Sequence, residues 1–347
     1  MPGSRINTVS QGRNRNVLFG AGLAAGIAAV RLLRLRTYDV ANKTVFITGG
    51  SRGLGLLLAR EFASRGARVA ISARDREALD RATSDIRRFG NNVLAVETDI
   101  TMREEADAAV EKIRREFGPV DILVNNAGTI CVGPLETMTI DDFRSSINTH
   151  FWGPYFTTMA VLEEMQQRRQ GRIVNISSIG GKISVPHLLP YCVGKFALTG
   201  FSQGLRSALL KDNIFVTTVC PGLMRTGSPR NAFFKGNNEA EYAWFSISDA
   251  LPLLSMNAER AARRIVRACL LGEAEIVLSI PAKAAVKLNA VLPGLTSDVL
   301  AIINGLLPSA DRSERDIKTG QQSFSELSPS WLTALNERAA QSNNQIP

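Results

Sequence analysis

The sequence predicts an α/β chain built on one doubly wound, mostly parallel sheet of about seven strands. Three observations lead there. From residue 43 onward, short Val- and Ile-rich runs alternate in strict order with stretches of helical length. The runs are continuously apolar, as strands buried on both faces are. The first run passes straight into a glycine-rich turn and then a helix, TGGSRGLG at Thr48–Gly55.

At 347 residues, with 45% apolar and 21% charged content, the chain has room for one large domain with extensions. Its net charge of +9 is unevenly placed. Arg5, Arg13, Arg15, Arg31, Arg34 and Arg36 stand in residues 1–36 without a single acid. The remainder is close to neutral, so the charge argues for anionic lipid rather than nucleic acid as partner. Residues 17–30 (VLFGAGLAAGIAAV) are uncharged and apolar, with Gly22 and Gly26 in a GxxxG pair. As a helix this run measures roughly 21 Å, short of the roughly 30 Å hydrocarbon core. An uncleaved arm, residues 1–42, touching a membrane surface through residues 17–36 is expected; a loose arm or a helix packed on the domain is the alternative.

Strands are expected at Thr44–Thr48, Arg68–Ser72, Asn92–Glu97, Ile122–Asn125, Arg172–Ser177, Phe215–Cys220 and Glu275–Ser279, inside a domain spanning 43–281. Residues 222–256 interrupt the alternation with Phe233, Phe234, Tyr242, Trp244, Phe245, Leu251 and Leu253. They read as a lid over the carboxyl ends of the strands, where ligands bind in such sheets. Its apolar density suits a lipophilic substrate of the steroid, retinoid or fatty carbonyl class; packing within the insert or a dimer contact reads the same. Residues 282–308 form an apolar extension broken at Pro293–Gly294. Residues 309–347 read as a polar, flexible tail, apart from a short helix near Ser330–Ala340 with Ser330 as N-cap. Cys131, Cys192, Cys220 and Cys269 are scattered without metal spacing. Reduced thiols, no metal and a cytoplasmic setting are expected.

Gly49, Gly53 and Gly55 let the chain turn sharply and bring backbone N–H groups and a helix N-terminus to a pyrophosphate, the Rossmann-type arrangement. The second strand ends Ser72–Ala73–Arg74. An acid near that point would hold a ribose 2′-hydroxyl; Ala73 stands there, with Arg74 beside it and Arg52 in the glycine turn. Two guanidinium groups suit a 2′-phosphate, so NADP(H) is expected over NAD(H), although Asp75 follows directly. Tyr191 and Lys195 are four apart on one helix face, and Ser178 ends a strand 13 residues before Tyr191. A phenol titrates near 10, and a neighbouring ammonium lowers that value.

Taken together, TGGSRGLG, NNAG (Asn125–Gly128), Asn148, IVNISS ending at Ser178, YCVGK and PGLMRT (Pro221–Thr226) resemble the short-chain dehydrogenase/reductase family in order and spacing over roughly residues 43–280. The resemblance implies an alcohol/carbonyl oxidoreductase. Tyr191 becomes the general acid/base, Lys195 its tuner and ribose ligand, Ser178 the carbonyl-polarising hydroxyl, and Asn148 the residue holding a proton-relay water. It places the dinucleotide on Thr48, Gly49, Ser51, Arg52, Gly53, Leu54, Gly55 and Arg74. It adds Asp99 and Ile100; Asn125, Ala127 and Gly128; Tyr191 and Lys195; and Pro221, Gly222 and Thr226. It also implies a homodimer or homotetramer joined through the helices carrying Asn148 and Tyr191. A catalytically silent NADP(H)-binding sensor is the competing class, disfavoured by the intact Tyr191 and Lys195. Of the two histidines, His150 reads as structural and His187 as a candidate pocket residue. Ser177, alternating with Ser178 along the strand, should point the other way.

Overall fold

In the computed structural model, strand β1 (Thr44–Thr48) lies at the centre of the sheet with all five residues buried. It pairs in parallel with β2 (Arg68–Ala73) on one side and β4 (Ile122–Asn125) on the other. β3 (Val93–Glu97) extends the sheet beyond β2. β5 (Gly171–Ile176), β6 (Ile214–Cys220) and β7 (Glu275–Val277) extend it beyond β4. The order is β3-β2-β1-β4-β5-β6-β7, all parallel. The structure describes residues 38–251, 255–309, 316–325, 327 and 330–346. The arm expected at residues 17–36 and Leu253 of the lid lie outside them. Among the described residues no helix is long and apolar enough to cross a membrane.

The strands match the expected ones within two residues. β7 stops at Val277 because Ser279 takes φ +73° and its side chain caps the next helix by accepting from Ala282 N–H. Helices cover both faces of the sheet. One core joins Phe46, Ala70 and Leu123 of the sheet to Ala109, Val110 and Ile113 of α3 (Arg103–Phe117), to Val161 and Met165 of α5 (Gly153–Arg168), and to Leu205 and Leu209 of α6 (Leu189–Leu209). On the opposite face α1 (Gly53–Ala63) packs on α8 (Ala258–Leu271). Local chemistry sets the boundaries: Asp75 caps α2 (Arg76–Ile86) through Ala78 N–H, a Thr139/Asp142 capping box starts α4 (Ile140–Ile147), and Gly272 at φ +65° ends α8.

The chain order reverses between β1 and β4, so the loops leaving these two strands part at their carboxyl ends, the place where ligands bind in such sheets. This is where the candidate site assembles.

The apolar extension folds as two helices, α9 (Ile280–Val291) and α10 (Pro293–Asn304). They leave Ile280, Val291, Leu295 and Ile302 more than half exposed, as is Leu306 just beyond α10. The tail departs from expectation. Its helix, α11 (Ser330–Ser342), packs on α7 (Asn238–Ala250) of the insert, and the residues beyond it are docked rather than loose. Asn336 Nδ2 donates to Ser246 O at 3.1 Å, and Arg230 pairs with Glu337. Asn343 and Gln345 are buried. Polarity suggested a solvated segment; instead its amides are used on backbone carbonyls of the domain.

Candidate active site

The glycine turn is tight for steric reasons. At φ +64°, a Cβ on Gly49 would stand 2.8 Å from Ala127 Cα, and one on Gly55 would stand 2.1 Å from Gly49 O. Bare backbone therefore forms the crevice floor, and α1 opens directly above it. The first-turn N–H groups of a helix have no partner within it and suit an anion. The tail roofs this point: Gly53 N–H donates to Asn343 O at 2.9 Å, and Gln345 Nε2 lies 2.8 Å from where a Gly53 Cβ would be. Asn344 Nδ2 donates to Ser51 O at 2.8 Å, while Asn231 Nδ2 donates to Gln345 Oε1 at 2.7 Å. Residues 343–345 thus bridge the glycine turn and the loop after β6. Nothing in their sequence pattern signalled this.

Two residues expected on the dinucleotide are turned to structural work. Asn125 is buried, accepting from Thr157 Oγ1 at 2.7 Å and donating to Asn175 Oδ1 at 2.8 Å. Its side chain ties β4 to α5 and β5 and is spent there. Thr48 Oγ1 accepts from Asn126 N–H and Ala127 N–H at 3.0 and 3.1 Å. Asn126, which the sequence reading passed over, donates Nδ2 to Thr48 O and Gly49 O and so holds the glycine turn. The remaining expected residues stand in the turns and loops that leave the strands. Ser51, Leu54 and Gly55 belong to the turn, Asp99 and Ile100 follow β3, and Ala127 and Gly128 follow β4. Pro221, Gly222 and Thr226 follow β6; Pro221 O accepts from Ile179 N–H at 2.7 Å, joining this loop to the one carrying Ser178.

At the outer end, Arg52 NH1 donates to Asn231 Oδ1 at 3.0 Å, and its other terminal nitrogen lies 3.8 Å from Asp75. Arg74 is 70% exposed and 3.9 Å from Asp99. Asp75 caps α2 with Oδ1, so part of its carboxylate is already engaged. Arg74 thus follows β2 directly, and Arg52 reaches the start of α2 from the glycine turn.

The chemistry-bearing side chains converge where β5 meets α6. Ser178 is buried, accepts from Gly180 N–H at 3.0 Å and is hydrogen-bonded to Tyr191. Ser177 points the other way, with Oγ 3.1 Å from Lys195 O and 2.7 Å from Thr199 Oγ1. Lys195 is 4% exposed. Its Nζ donates to Ile176 O at 2.8 Å and lies 5.6 Å from the Tyr191 ring centroid. Burial pushes the Lys195 ammonium down to about 7. Burial also raises the Tyr191 phenol, against the Ser178 hydrogen bond that lowers it. The expected lowering of Tyr191 by Lys195 is therefore outweighed. The ammonium is engaged by the Ile176 carbonyl and lies over the ring.

Asn148 does not join this cluster; its side chain is exposed. The sequence by itself predicts regular helix through this region. The chain instead widens into a π-turn at Asn148–Trp152 between α4 and α5, and such a turn rotates the following face relative to an α-helix. His150 is the residue brought inward. It is 1% exposed, its ring meets Tyr191 edge-on at 5.3 Å, and its Nε2 lies 2.9 Å from Thr129 O.

The insert expected as a lid packs beside this cluster. Phe234, Tyr242 and Phe245 are buried against Val132, Leu188 and Cys192 in a cluster that abuts Tyr191. Most of the insert's aromatic density is thus its own core, while Trp244 stays half-buried. His187, at φ +60°, is fixed by Glu241 of α7: Nδ1 to Oε1 is 2.8 Å, and Trp244 Nε1 donates to Glu241 Oε2 at 2.7 Å. Glu241 is fully buried and was missed in the sequence, where a lone acid among aromatics carries no signal. Glu241→Ala leaves buried His187 unpaired, at about 1–3 kcal/mol, and the half-buried Trp244 without its acceptor. The expected result is a lower Tm together with a raised KM for the carbonyl substrate. An unchanged Tm would show that the clamp carries no stability.

A twice-wound parallel sheet with a bare-backbone crevice at its reversal point, next to a Ser–Tyr–Lys cluster, defines a dinucleotide-dependent oxidoreductase. Comparison with known proteins agrees. The chain matches the short chain dehydrogenase family over residues 43–234. It is 32% identical over 289 residues to dehydrogenase/reductase SDR family member 7B of Bos taurus, covering 81% of this chain and 86% of that one. It is 32% identical over 199 residues to 17-beta-hydroxysteroid dehydrogenase 13 of Homo sapiens, covering 56% of this chain and 66% of that one. Among solved structures, L-sorbose reductase from Gluconobacter frateurii, complexed with NADPH and L-sorbose, matches with a TM-score of 0.62 at 26% identity, covering 70% of this chain and 97% of that one. The chain belongs to the short-chain dehydrogenase/reductase family and is an oxidoreductase acting on CH–OH groups.

Proposed function

We propose that the protein is an NADP(H)-dependent reductase or dehydrogenase of lipophilic alcohols and carbonyls, with Tyr191 as its acid/base. The observation that carries this reading is the convergence of Ser178, Tyr191 and Lys195 beside a crevice floored by Gly49, Gly53 and Gly128. These residues would hold a dinucleotide: the glycines would clear its path, α1 would meet the pyrophosphate where Asn343 O now accepts from Gly53 N–H, Arg52 and Arg74 would serve the 2′-phosphate, and Lys195 and Thr226 the nicotinamide end. When bound, the cofactor supplies the hydride that adds to the carbonyl carbon. Ser178 Oγ holds the substrate oxygen. As the C–O π electrons move onto that oxygen, Tyr191 Oη gives it a proton, and the phenolate left behind is reprotonated from solvent.

The lipophilic substrate class is supported by Trp244 and the aromatic lid next to Tyr191, and by the steroid dehydrogenase named among the relatives. Contact with a membrane surface through residues 17–36 belongs to the same reading; the exposed apolar side chains of α9 and α10 would favour it. A homo-oligomer joined through α5 and α6 is supported by the exposed Trp152, Met159, Val193 and Phe196.

The test is a series of ketones differing only in alkyl length, assayed with NADPH and NADH. kcat/KM is expected to rise with chain length, by up to a few-fold for each buried methylene at ~0.8 kcal/mol. A flat series would overturn the lipophilic reading. Tight NADPH binding without turnover of any carbonyl would favour a sensor instead.

A further inference from the structure

Residues 343–345 lie across the proposed dinucleotide site and not merely beside it. On one side Gly53 N–H, in the first turn of α1, donates to Asn343 O at 2.9 Å. On the other side the Thr226 carbonyl accepts from Asn343 Nδ2 at 3.4 Å and from Gln345 Nε2 at 3.5 Å. Gln345 is also held by Asn231, whose Nδ2 donates to its Oε1 at 2.7 Å. Gly53 belongs to the pyrophosphate end of the proposed site and Thr226 to its nicotinamide end, so one short segment engages both. The bare backbone of Gly53 makes this approach possible, since a Cβ there would stand 2.8 Å from Gln345 Nε2.

The root and the tip of the segment are held differently. α11 is seated on the loop after β6 and on α7. Ala340 is fully buried, and a Cβ on Gly227 would stand 2.5 Å from Ala340 Cα. Asn336 Nδ2 reaches Ser246 O, and Glu337 pairs with Arg230. Beyond α11 the recorded hold is polar. Asn344, at φ +55°, donates Nδ2 to Ser51 O at 2.8 Å and to Ala78 O at 3.1 Å, and accepts from Arg81 Nε at 3.0 Å. The two bonds to Thr226 are at the long limit for hydrogen bonds. Bonds of this kind exchange for water at small net cost, so the tip can lift while α11 stays docked.

A pyrophosphate is a stronger partner for the start of α1 than a peptide carbonyl. A hydrogen bond to a charged acceptor is about twice as strong as one to a neutral acceptor, and the positive end of the helix dipole adds to it. The Asn343 carbonyl therefore takes up a donor for which the dinucleotide is the better acceptor. We propose that residues 343–345 form an autoinhibitory strap: they compete with the dinucleotide for Gly53 N–H and lift from the glycine turn and from Thr226 before the cofactor seats. The strap governs cofactor loading and leaves the chemistry at Tyr191 alone. The inference rests on the reading of this crevice as a dinucleotide site.

The experiment follows NADPH and NADH binding by fluorescence, in stopped flow and at equilibrium. It compares the full chain, the chain lacking residues 343–347, and Asn344→Ala. Removing residues 343–347 is expected to raise both the association rate and the affinity for NADPH about tenfold, as when only about a tenth of the molecules are open to begin with. Asn344→Ala frees the strap from Ser51 and Ala78 and is expected to give a gain of about threefold, the size of one modest hydrogen bond. In the full chain, the amides of Asn343 and Gln345, which donate to Ala339 O and Ala340 O, are expected to exchange their hydrogens faster once NADPH is bound. Weaker binding in both variants, with slower exchange at those amides, identifies a clamp over bound cofactor and overturns the proposal. Should the shortened chain lose its fold, as judged by Tm, Asn344→Ala and hydrogen exchange in the full chain decide. If all three proteins bind NADPH equally, the strap alone is wrong. If none binds NADPH or NADH, the dinucleotide reading fails and the strap falls with it.

Discussion

Tyr191→Phe is expected to lower kcat by a factor of order 10²–10⁴ while leaving NADPH binding intact. The ring keeps its edge-on contact with His150 and its place beside the lid cluster, so packing is preserved. What is lost is the hydroxyl hydrogen-bonded to Ser178, the atom that would pass its proton to the substrate oxygen. Burial raises the phenol above its ordinary value, which keeps the proton on Tyr191 at neutral pH and suits it to act as the acid of carbonyl reduction. Stopped-flow single turnovers and a separate titration of NADPH fluorescence divide chemistry from binding. A rate within a few-fold of the wild type would assign the proton to another group.

Arg74→Ala is expected to lower kcat/KM with NADPH about tenfold and leave the NADH value unchanged, the size of one exposed hydrogen bond to a charged acceptor. Arg74 is the better placed of the two guanidinium groups, being 70% exposed and only loosely paired with Asp99 at 3.9 Å, whereas Arg52 has a hydrogen bond as well as an ion pair. Arg52 is held by Asn231 and flanked by Asp75, and Arg52→Ala should move the ratio in the same direction. Because the effect is electrostatic, it should shrink with added salt. If both variants keep the wild-type cofactor ratio, the NADP(H) preference is wrong, and Asp75 becomes the group to examine for ribose recognition.

The sheet was legible because its signals are local. Unbroken Val and Ile runs specify strands buried on both faces, and glycines at 49, 53 and 55 specify a turn that tolerates no Cβ; both are properties of a few consecutive residues. Tyr191 and Lys195 were legible for the same reason, since helical spacing alone puts them on one face. Asn148 stands exposed and His150 inward because a single π-turn changes which residue points inward, and no residue type announces such a turn. Glu241 and the tail amides were invisible because their partners lie far along the chain: Glu241 meets His187 across 54 residues, and Asn344 meets Ser51 across 293. By itself, then, the sequence determined the family, the sheet, the glycine crevice and the Ser178–Tyr191–Lys195 cluster, all encoded by periodicity and short-range sterics. The tertiary structure alone decided that His150 rather than Asn148 faces Tyr191, that Asn125 is spent on the sheet, and that residues 343–345 roof the crevice. Those outcomes depend on which polar groups are buried together, and burial is a property of the folded whole.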